Sequence, residues 1–394
     1  MKILMICEFF DPALEFQENQ LVKYYRKHGH EVRVLTSTYT DVFDYYACRH
    51  DNKAPESSLS VHGAEIVRLP YRYNLLHKIR AYRGVKRHLE EFEPDLIYIH
   101  DIMPNILEIV PYLKKHPQCR AIMDIHMDYS NSGKSFVALR ILHGTVRRWF
   151  LSRIRPHLDR IYPVAPSSFP FMRDIYGVPE SAMTLLPLGA DIDLIEAIQA
   201  STDREALRRS YGFGPDQLVI VTGGKVTPRK RFETLLEAVD CDALAHAVIL
   251  VIGKIPEEEA AYRAALQPLI DRLGDRVRFA GWQLPEGTYS HMSAADVAVF
   301  PASQSVMWQQ AISVGLPLIV GDNGGQDASY LGPHGNVQVL PADQITAEGV
   351  RAALVALDRD PERMRAMAEG SRRTAREMLD WNALIEVTLK PHPR

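Results

Sequence analysis

Short, almost unbroken apolar runs recur along this chain, each followed by a longer segment of mixed polarity. The first half carries "KILMIC", "HEVRVLTS", "DLIYIH" and "RAIMDIH"; the second carries "QLVIVTGG", "AVILVIG", "RVRFAG", "VAVFPA" and "LPLIVGD". Between them lie segments such as "ENQLVKYYRKHG", "RFETLLEAV" and "EEEAAYRAALQPLIDRL", which read as helices. Continuous apolar strands separated by helices are what a parallel sheet covered on both faces requires, so the fold class is α/β. The same grammar starts twice, and 394 residues exceed what one core usually supports, so two domains are expected.

The polar stretch "LLPLGADIDLIEAIQASTDREALRRSYGFGPD" places the boundary near residue 195. The expected division is 1–195 and 196–375, with residues 376–394 forming a helix that packs back on the first domain. Ligands of open parallel sheets sit at the carboxyl ends of the strands, and a cleft between two such lobes is the expected substrate site.

Composition narrows the class further. With 46% apolar residues, 24% charged residues and a formal net charge of -3, the chain suggests neither a nucleic-acid binder nor a disordered segment. Cys7, Cys48, Cys119 and Cys241 are far apart and lack metal or disulfide spacing, which fits free thiols in a reducing cytoplasm. The apolar run that ends at Glu8 is too short for a signal segment or a membrane span and reads as a first strand.

Residues 223–239, "GGKVTPRKRFETLLEAV", follow a strand and open a helix. Glycines such as Gly224 let a backbone approach a ligand, and Lys225 and Lys230 have the charge to neutralise a diphosphate at the helix N-terminus. A solvated basic loop is the plain alternative. Downstream, "FAGWQLPEGTYSHMSAADVAVFPASQSVMWQQAISVGLPLIVGDNGG" has a strand, a polar loop, a helix and a second strand before Gly324-Gly325.

In this order the motifs resemble the retaining glycosyltransferases of the GT-B fold, family 4. That family's C-terminal lobe reads G-R-L-x-x-x-K-G, then F-x-G, A-D-V-x-V-x-P-S, E-A-x-x-x-G-x-P-V-I and Gly-Gly. Upstream, "YGVPESAMTLLPLGADIDLI" and "KYYRKHGHEVRVLTS" resemble its linker and its G-H-E-V segment. The resemblance implies two Rossmann-like lobes facing across a cleft, with acceptor bound by the first and nucleotide sugar by the second.

Carried over by position, it implies that Lys225 and Lys230 hold the donor diphosphate, with backbone N–H groups near Ser305 and Val306 and the following helix dipole. Trp282, beside the F-x-G position, either stacks on the nucleobase or simply packs. The family's two glutamates, E-x7-E, are absent: Gln310 occupies the second position, and the first falls near Ala302 or Ser303 in a loop about three residues shorter. An amide can still bond a ribose hydroxyl, and Ser303, Gln304 and Ser305 offer polar groups toward the sugar.

His126, at the end of "RAIMDIH", matches a functional histidine of the family, with Asp124, Asp128 and Tyr129 as polar neighbours and a structural histidine as the alternative. Glu18 and Asn19 open the first helix and are read either as capping or as acceptor contacts. No metal and no cofactor is expected beyond the nucleotide sugar as substrate. Two acid-free basic segments, 72–89 and 138–158, the second with Arg147, Arg148, Trp149 and Phe150 together, suit an interfacial helix on anionic lipid as well as ordinary packing.

The expected partners are a nucleotide diphosphate sugar, a glycan, lipid-linked or small-molecule acceptor, and an anionic membrane surface, without nucleic acid. The expected place is the cytoplasm, peripheral on the inner face of the membrane. A degenerate, non-catalytic subunit that binds nucleotide or a partner is the alternative function, and a nucleotide-sugar epimerase a more remote one.

Overall fold

The computed structural model describes residues 1–47, 54–133, 135–323 and 327–392. Cys48 and the Gly324-Gly325 pair lie outside the described residues. The chain forms two compact units, residues 1–188 with 381–394 and residues 189–380.

The first unit is built on seven strands: β1 (Lys2–Ile6), β2 (Glu31–Ser37), β3 (Ser57–Val61), β4 (Ala64–Leu69), β7 (Leu96–His100), β8 (Arg120–Ile125) and β9 (Arg160–Pro163). Their order is β3-β4-β2-β1-β7-β8-β9, parallel except for β3 at the edge. β5 (Tyr71–Leu75) and β6 (Ile79–Tyr82) form a separate antiparallel hairpin. The apolar runs quoted above become strands buried on both faces: Ile3, Met5 and Tyr98 pack in one core layer, Leu4, Ile97 and Met123 in another. The helix Gln17–Lys27 covers the first of these layers.

The second unit has six parallel strands, β10 (Leu218–Lys225), β11 (Ala247–Lys254), β12 (Val277–Gly281), β13 (Val297–Phe300), β14 (Leu318–Asp322) and β15 (Val337–Pro341), in the order β12-β11-β10-β13-β14-β15. It too has a core layer on each face.

Both boundaries of this unit shift from their expected places for the same physical reason. Helix Ile192–Ser201, capped by the Asp191 side chain accepting from Leu194 N at 3.1 Å, buries Ile192 and Ile195 in the second core. The turn Ala375–Leu379 buries Ala375 and Leu379 there as well. The return to the first unit starts only at helix Trp381–Leu389, whose Trp381, Leu384 and Ile385 join the core under Leu21, Tyr24 and Tyr25.

The first basic segment differs from the expectation of an interfacial helix. Residues 72–82 lie in the β5–β6 hairpin, turned by Leu76 and His77 with φ of 51° and 54°. In the second segment a π-helical run Ala138–Arg147 continues into the helix Arg148–Ile154. Phe150 is buried in the core, Arg147 donates to Lys78 O at 3.1 Å, and Arg148 donates to Ile175 O at 3.4 Å. Trp149, Val137 and Ile141 are exposed.

Candidate functional site

In a parallel sheet the ligand crevice opens where neighbouring strands send their chains in opposite directions. The second unit has this switch point between β10 and β13, the first between β1 and β7. Of the residues singled out in the sequence, Gly224, Lys230 and Ser305 lie together at the first of these places and His126 and Asp124 at the second.

At the end of β10, the two glycines do different things. A Cβ at Gly223 would stand 1.9 Å from Ile252 O, so this glycine serves the close approach of β11. Gly224 has φ of 89°, and a Cβ there would lie 3.5 Å from Met307 Sδ, 3.7 Å from Lys230 Nζ and 3.9 Å from Ser305 Oγ. The β10 loop, the turn Pro228–Lys230 and the loop after β13 therefore converge on one spot. Burial, and then the neighbouring Arg229, push the Lys230 ammonium down to about 8. A buried cation beside another cation is a seat for an anion.

Lys225 is placed differently. It is 54% exposed and pairs with Glu258 Oε1 at 2.9 Å, on the surface of the β10–β11 edge.

The loop after β13 leads into helix Met307–Val314, all of whose residues are buried. At its start Trp308 N donates to Ser305 O at 3.1 Å and Met307 N to Ser305 Oγ at 3.4 Å, and this end carries the positive end of the helix dipole. Ser303 takes the left-handed region at φ 66°, and Arg231, at the position of the family's glycine, does so at φ 51°. Left-handed non-glycine residues are costly and collect at functional sites.

Sequence reading missed Gln309. With its amide oxygen accepting from Tyr330 Oη at 3.0 Å, its nitrogen donates to the carbonyls of Ser305 and Val306, each at 3.2 Å. This clamp fixes the loop on the helix; the signal for it was an amide adjacent to Gln310 in a buried stretch. Gln310 is buried, Gln304 half-buried and Val306 exposed, while Trp282 stands 48% exposed just after Gly281.

At the switch point of the first unit, Asp124 on β8 is fully buried. Its Oδ2 accepts from Tyr98 Oη at 2.9 Å and from His100 Nδ1 at 3.0 Å, and its Oδ1 accepts from Asp101 N at 3.2 Å. His126 Nε2 lies 3.6 Å from Oδ2, beyond a hydrogen bond, and its ring centroid is 4.5 Å from that of His100. The His126 N–H donates to Asp101 Oδ1 at 3.1 Å, and Asp101 is held at φ 61°.

Burial would lower His100, but the Asp124 carboxylate overrides it and lifts the imidazole to about 10. Burial would raise Asp124, but His100 first and His126 next hold it well below the usual carboxylate range. Burial raises Glu18 against the opposing pull of His100. His100 and Asp101 were missed in the sequence, where nothing in "DLIYIHDIMPN" separates a strand end from a site.

The other acceptor-side residues make local bonds. The Asp128 carboxylate accepts from Ser130 N at 2.8 Å and Asn131 N at 2.9 Å in its own loop, and from Ser167 Oγ at 2.8 Å at the start of helix Ser168–Tyr176. Asn19 Nδ2 donates to Asp11 O at 2.9 Å, tying down the loop after β1. The helix Gln17–Lys27 has Phe16 at its N-cap, without a side-chain cap bond. His100, Asp124 and His126 have ligand atoms within 4.8 Å of one another, a set able to hold a divalent cation.

Comparisons with known proteins give the family. Residues 19–194 match the family model of Glycosyltransferase Family 4, and residues 217–359 that of Glycosyl transferases group 1. The chain is similar to a GDP-mannose-dependent monoacylated alpha-(1-6)-phosphatidylinositol monomannoside mannosyltransferase of Corynebacterium glutamicum, 24% identical over 51% of this chain and 53% of the relative. It is also similar to a D-inositol 3-phosphate glycosyltransferase of Geodermatophilus obscurus, 29% identical over 54% of this chain and 47% of the relative. The chain thus spans about half the length of the curated relatives it matches.

Among solved structures it resembles sucrose-phosphate synthase from Thermosynechococcus elongatus, with TM-score 0.68, 20% identity and coverage of 98% and 97% of the two chains. It resembles Anabaena HepE in complex with UDP, with TM-score 0.69, 18% identity and coverage of 99% of each chain. The chain belongs to the GT-B glycosyltransferases, its first half of the Family 4 type and its second half of the group 1 type.

Proposed function

We propose that this protein transfers a sugar from a nucleotide diphosphate sugar to an acceptor hydroxyl, with retention at the anomeric carbon. The observation that carries the reading is the convergence of Lys230, Gly224 and Ser305 at the N-terminus of helix Met307–Val314, on the switch point of the second unit. A leaving diphosphate finds there a cation, a hydroxyl and the positive end of a helix dipole, which stabilise the charge that develops as the glycosidic bond breaks. No protein nucleophile is needed: the acceptor hydroxyl attacks from the leaving-group face, and the departing diphosphate takes its proton. Gln310 stands in for the acid that meets the ribose, and Trp282 shields the base. His126 serves the transferred sugar and the acceptor. The transfer runs without a metal or cofactor.

The Anabaena structure holds UDP, and the Corynebacterium relative is named for GDP-mannose, so both bases belong in the test. The acceptor is a glycan, a lipid-linked sugar or a small molecule, in the synthesis of a surface polysaccharide or glycoconjugate. Among the described residues no helix is long and apolar enough to cross a membrane. The reading places the protein in the cytoplasm, resting on the inner face of the membrane through the exposed Val137, Ile141 and Trp149 of its acid-free helical segment.

A panel of UDP-, GDP-, ADP- and TDP-sugars, assayed for nucleoside diphosphate release with sugar and lipid acceptors, tests this. Turnover with one donor class, and a product of the donor's anomeric configuration, is expected. The absence of both donor glutamates favours a second reading, a non-catalytic nucleotide-binding subunit. Nucleotide binding without turnover would establish it in place of the first.

A further inference from the structure

Two imidazoles and a carboxylate meet at the ends of β7 and β8. Asp124 Oδ2 stands 3.0 Å from His100 Nδ1 and 3.6 Å from His126 Nε2, and one ligand atom from each of the three side chains lies within 4.8 Å of the others. Around a tetrahedral zinc ion, with bonds of about 2.0–2.2 Å, neighbouring ligand atoms are about 3.3–3.6 Å apart. The two distances to Asp124 span that spacing, so small movements of the rings close three ligands on one ion.

His126 Nε2 is shielded from solvent and has no hydrogen-bond partner among the described residues, although a buried nitrogen is nearly always satisfied. Asp124 is braced from behind. Its Oδ1 accepts from Asp101 N, and its Oδ2 accepts from Tyr98 Oη, which itself accepts from Gln17 Nε2 at 3.3 Å. Outer partners of this kind orient a carboxylate toward a metal. In the first turn of helix Gln17–Lys27, Glu18 is buried together with the amides Gln17, Asn19 and Gln20, and it interacts electrostatically with both imidazoles, a second acid that favours a cation. The His100 and His126 side chains are 18% and 28% exposed, which leaves an ion a way in.

Two imidazole nitrogens and one carboxylate oxygen suit zinc and its transition-metal neighbours, whereas magnesium and calcium take shells of oxygen. Three protein ligands leave the fourth position to water.

We propose that His100, Asp124 and His126 form a three-ligand zinc site, and that the bound ion, by occupying His126, switches transfer off. The proton of the His100–Asp124 bond passes to solvent as the ion enters. Ion binding stands apart from the transferase reading; the inhibition rests on it, through the role given there to His126.

Cobalt(II) reports on such a site, because four-coordinate cobalt absorbs visible light far more strongly than the hydrated ion. The full chain, freed of metal with a chelator, is titrated with Co2+, and Zn2+ is then added in competition. One equivalent of Co2+ should develop the four-coordinate bands and one of Zn2+ should abolish them, while Mg2+ and Ca2+ do neither. His126→Ala, checked for unchanged folding by circular dichroism, should weaken Co2+ binding more than the about 10–100-fold that loss of an outer partner costs. His126→Cys should restore binding with added thiolate-to-cobalt absorption, which a merely structural histidine would not give. His28→Ala, at a surface histidine 3.5 Å from Glu386 Oε1, should change nothing. Bands of the hydrated ion alone, binding indifferent to His126→Ala, or binding lost with His28→Ala overturns the proposal.

Nucleoside diphosphate release from a nucleotide sugar is followed in the same samples. Zn2+ should lower turnover at least about tenfold as the site fills, the loss of one acid–base group, and chelator should restore it. Zinc bound without turnover under any condition removes the transferase reading and leaves the site standing. Turnover indifferent to a filled site overturns the switch, and turnover in a chain that binds no ion overturns this proposal alone.

Discussion

At the ends of β10 and β13 the second unit gathers Lys230, a serine hydroxyl and a helix N-terminus. At the ends of β1, β7 and β8 the first unit gathers Glu18, Asp101, Asp124, His100 and three amides. The topology is the same in both places, a strand-order reversal in a parallel sheet. The chemistry is inverted: one switch point offers positive charge and donors, the other lone pairs around a buried ion pair. A fold of this kind fixes where ligands bind, and the side chains on a few loops decide what charge and hydrogen-bonding sense they must have.

The sharpest way to break the contrast is to remove the anion at the centre of the first unit. Asp124→Asn leaves the His100 imidazolium buried without its counter-ion and should lower stability by about 3–5 kcal/mol, read from urea unfolding. The same pair predicts a pH dependence. The Asp124 contribution is complete above the ordinary carboxylate range and is lost as pH falls through its depressed value; that of His100 is complete below the ordinary imidazole range and is lost as pH rises through about 10. Wild type should lose this part of its stability on both sides of that window, and Asp124→Asn should not.

In the second unit, Lys230→Met should weaken nucleoside diphosphate binding by about 1.5–3 kcal/mol, measured by calorimetry, while leaving the ligand-free protein at least as stable. A buried cation without an anion costs stability, so its removal hurts only the complex. Since burial holds Lys230 at about 8, the ligand-free site loses its charge above that pH. Affinity should then fall by up to about tenfold per pH unit, with proton uptake on binding, and Lys230→Met should flatten this slope.

Gln310→Glu is a smaller change, expected to keep or improve donor affinity within about 1 kcal/mol. Lys225→Met should be smaller still in stability, about 0.5 kcal/mol or less, because its bond to Glu258 is an exposed pair.

Much of this was legible in the sequence because apolar runs fully buried in two-sided sheets leave a strong linear signal. Strands β1, β7, β8, β10, β11 and β13 coincide with quoted runs. Lys230, Ser305 and Gly224 were legible through the ordered motifs around them. The position of Lys225 was not, since its pairing with Glu258 depends on the neighbouring strand β11 and the turn that follows it. The surroundings of Asp128 and Phe150 were equally hidden: Ser167, far along the chain, bonds one, and the other is buried on the helix Arg148–Ile154. His100 and Gln17 escaped notice because their partners, Asp124 and Tyr98, come from other strands.

Hydrogen exchange followed by mass spectrometry, with and without a nucleoside diphosphate, tests the contrast most directly. The account predicts slowed exchange in residues 223–232 and 301–310 and unchanged exchange in residues 7–20 and 100–131. Protection centred on the first unit's loops, with none after β10 and β13, would contradict it.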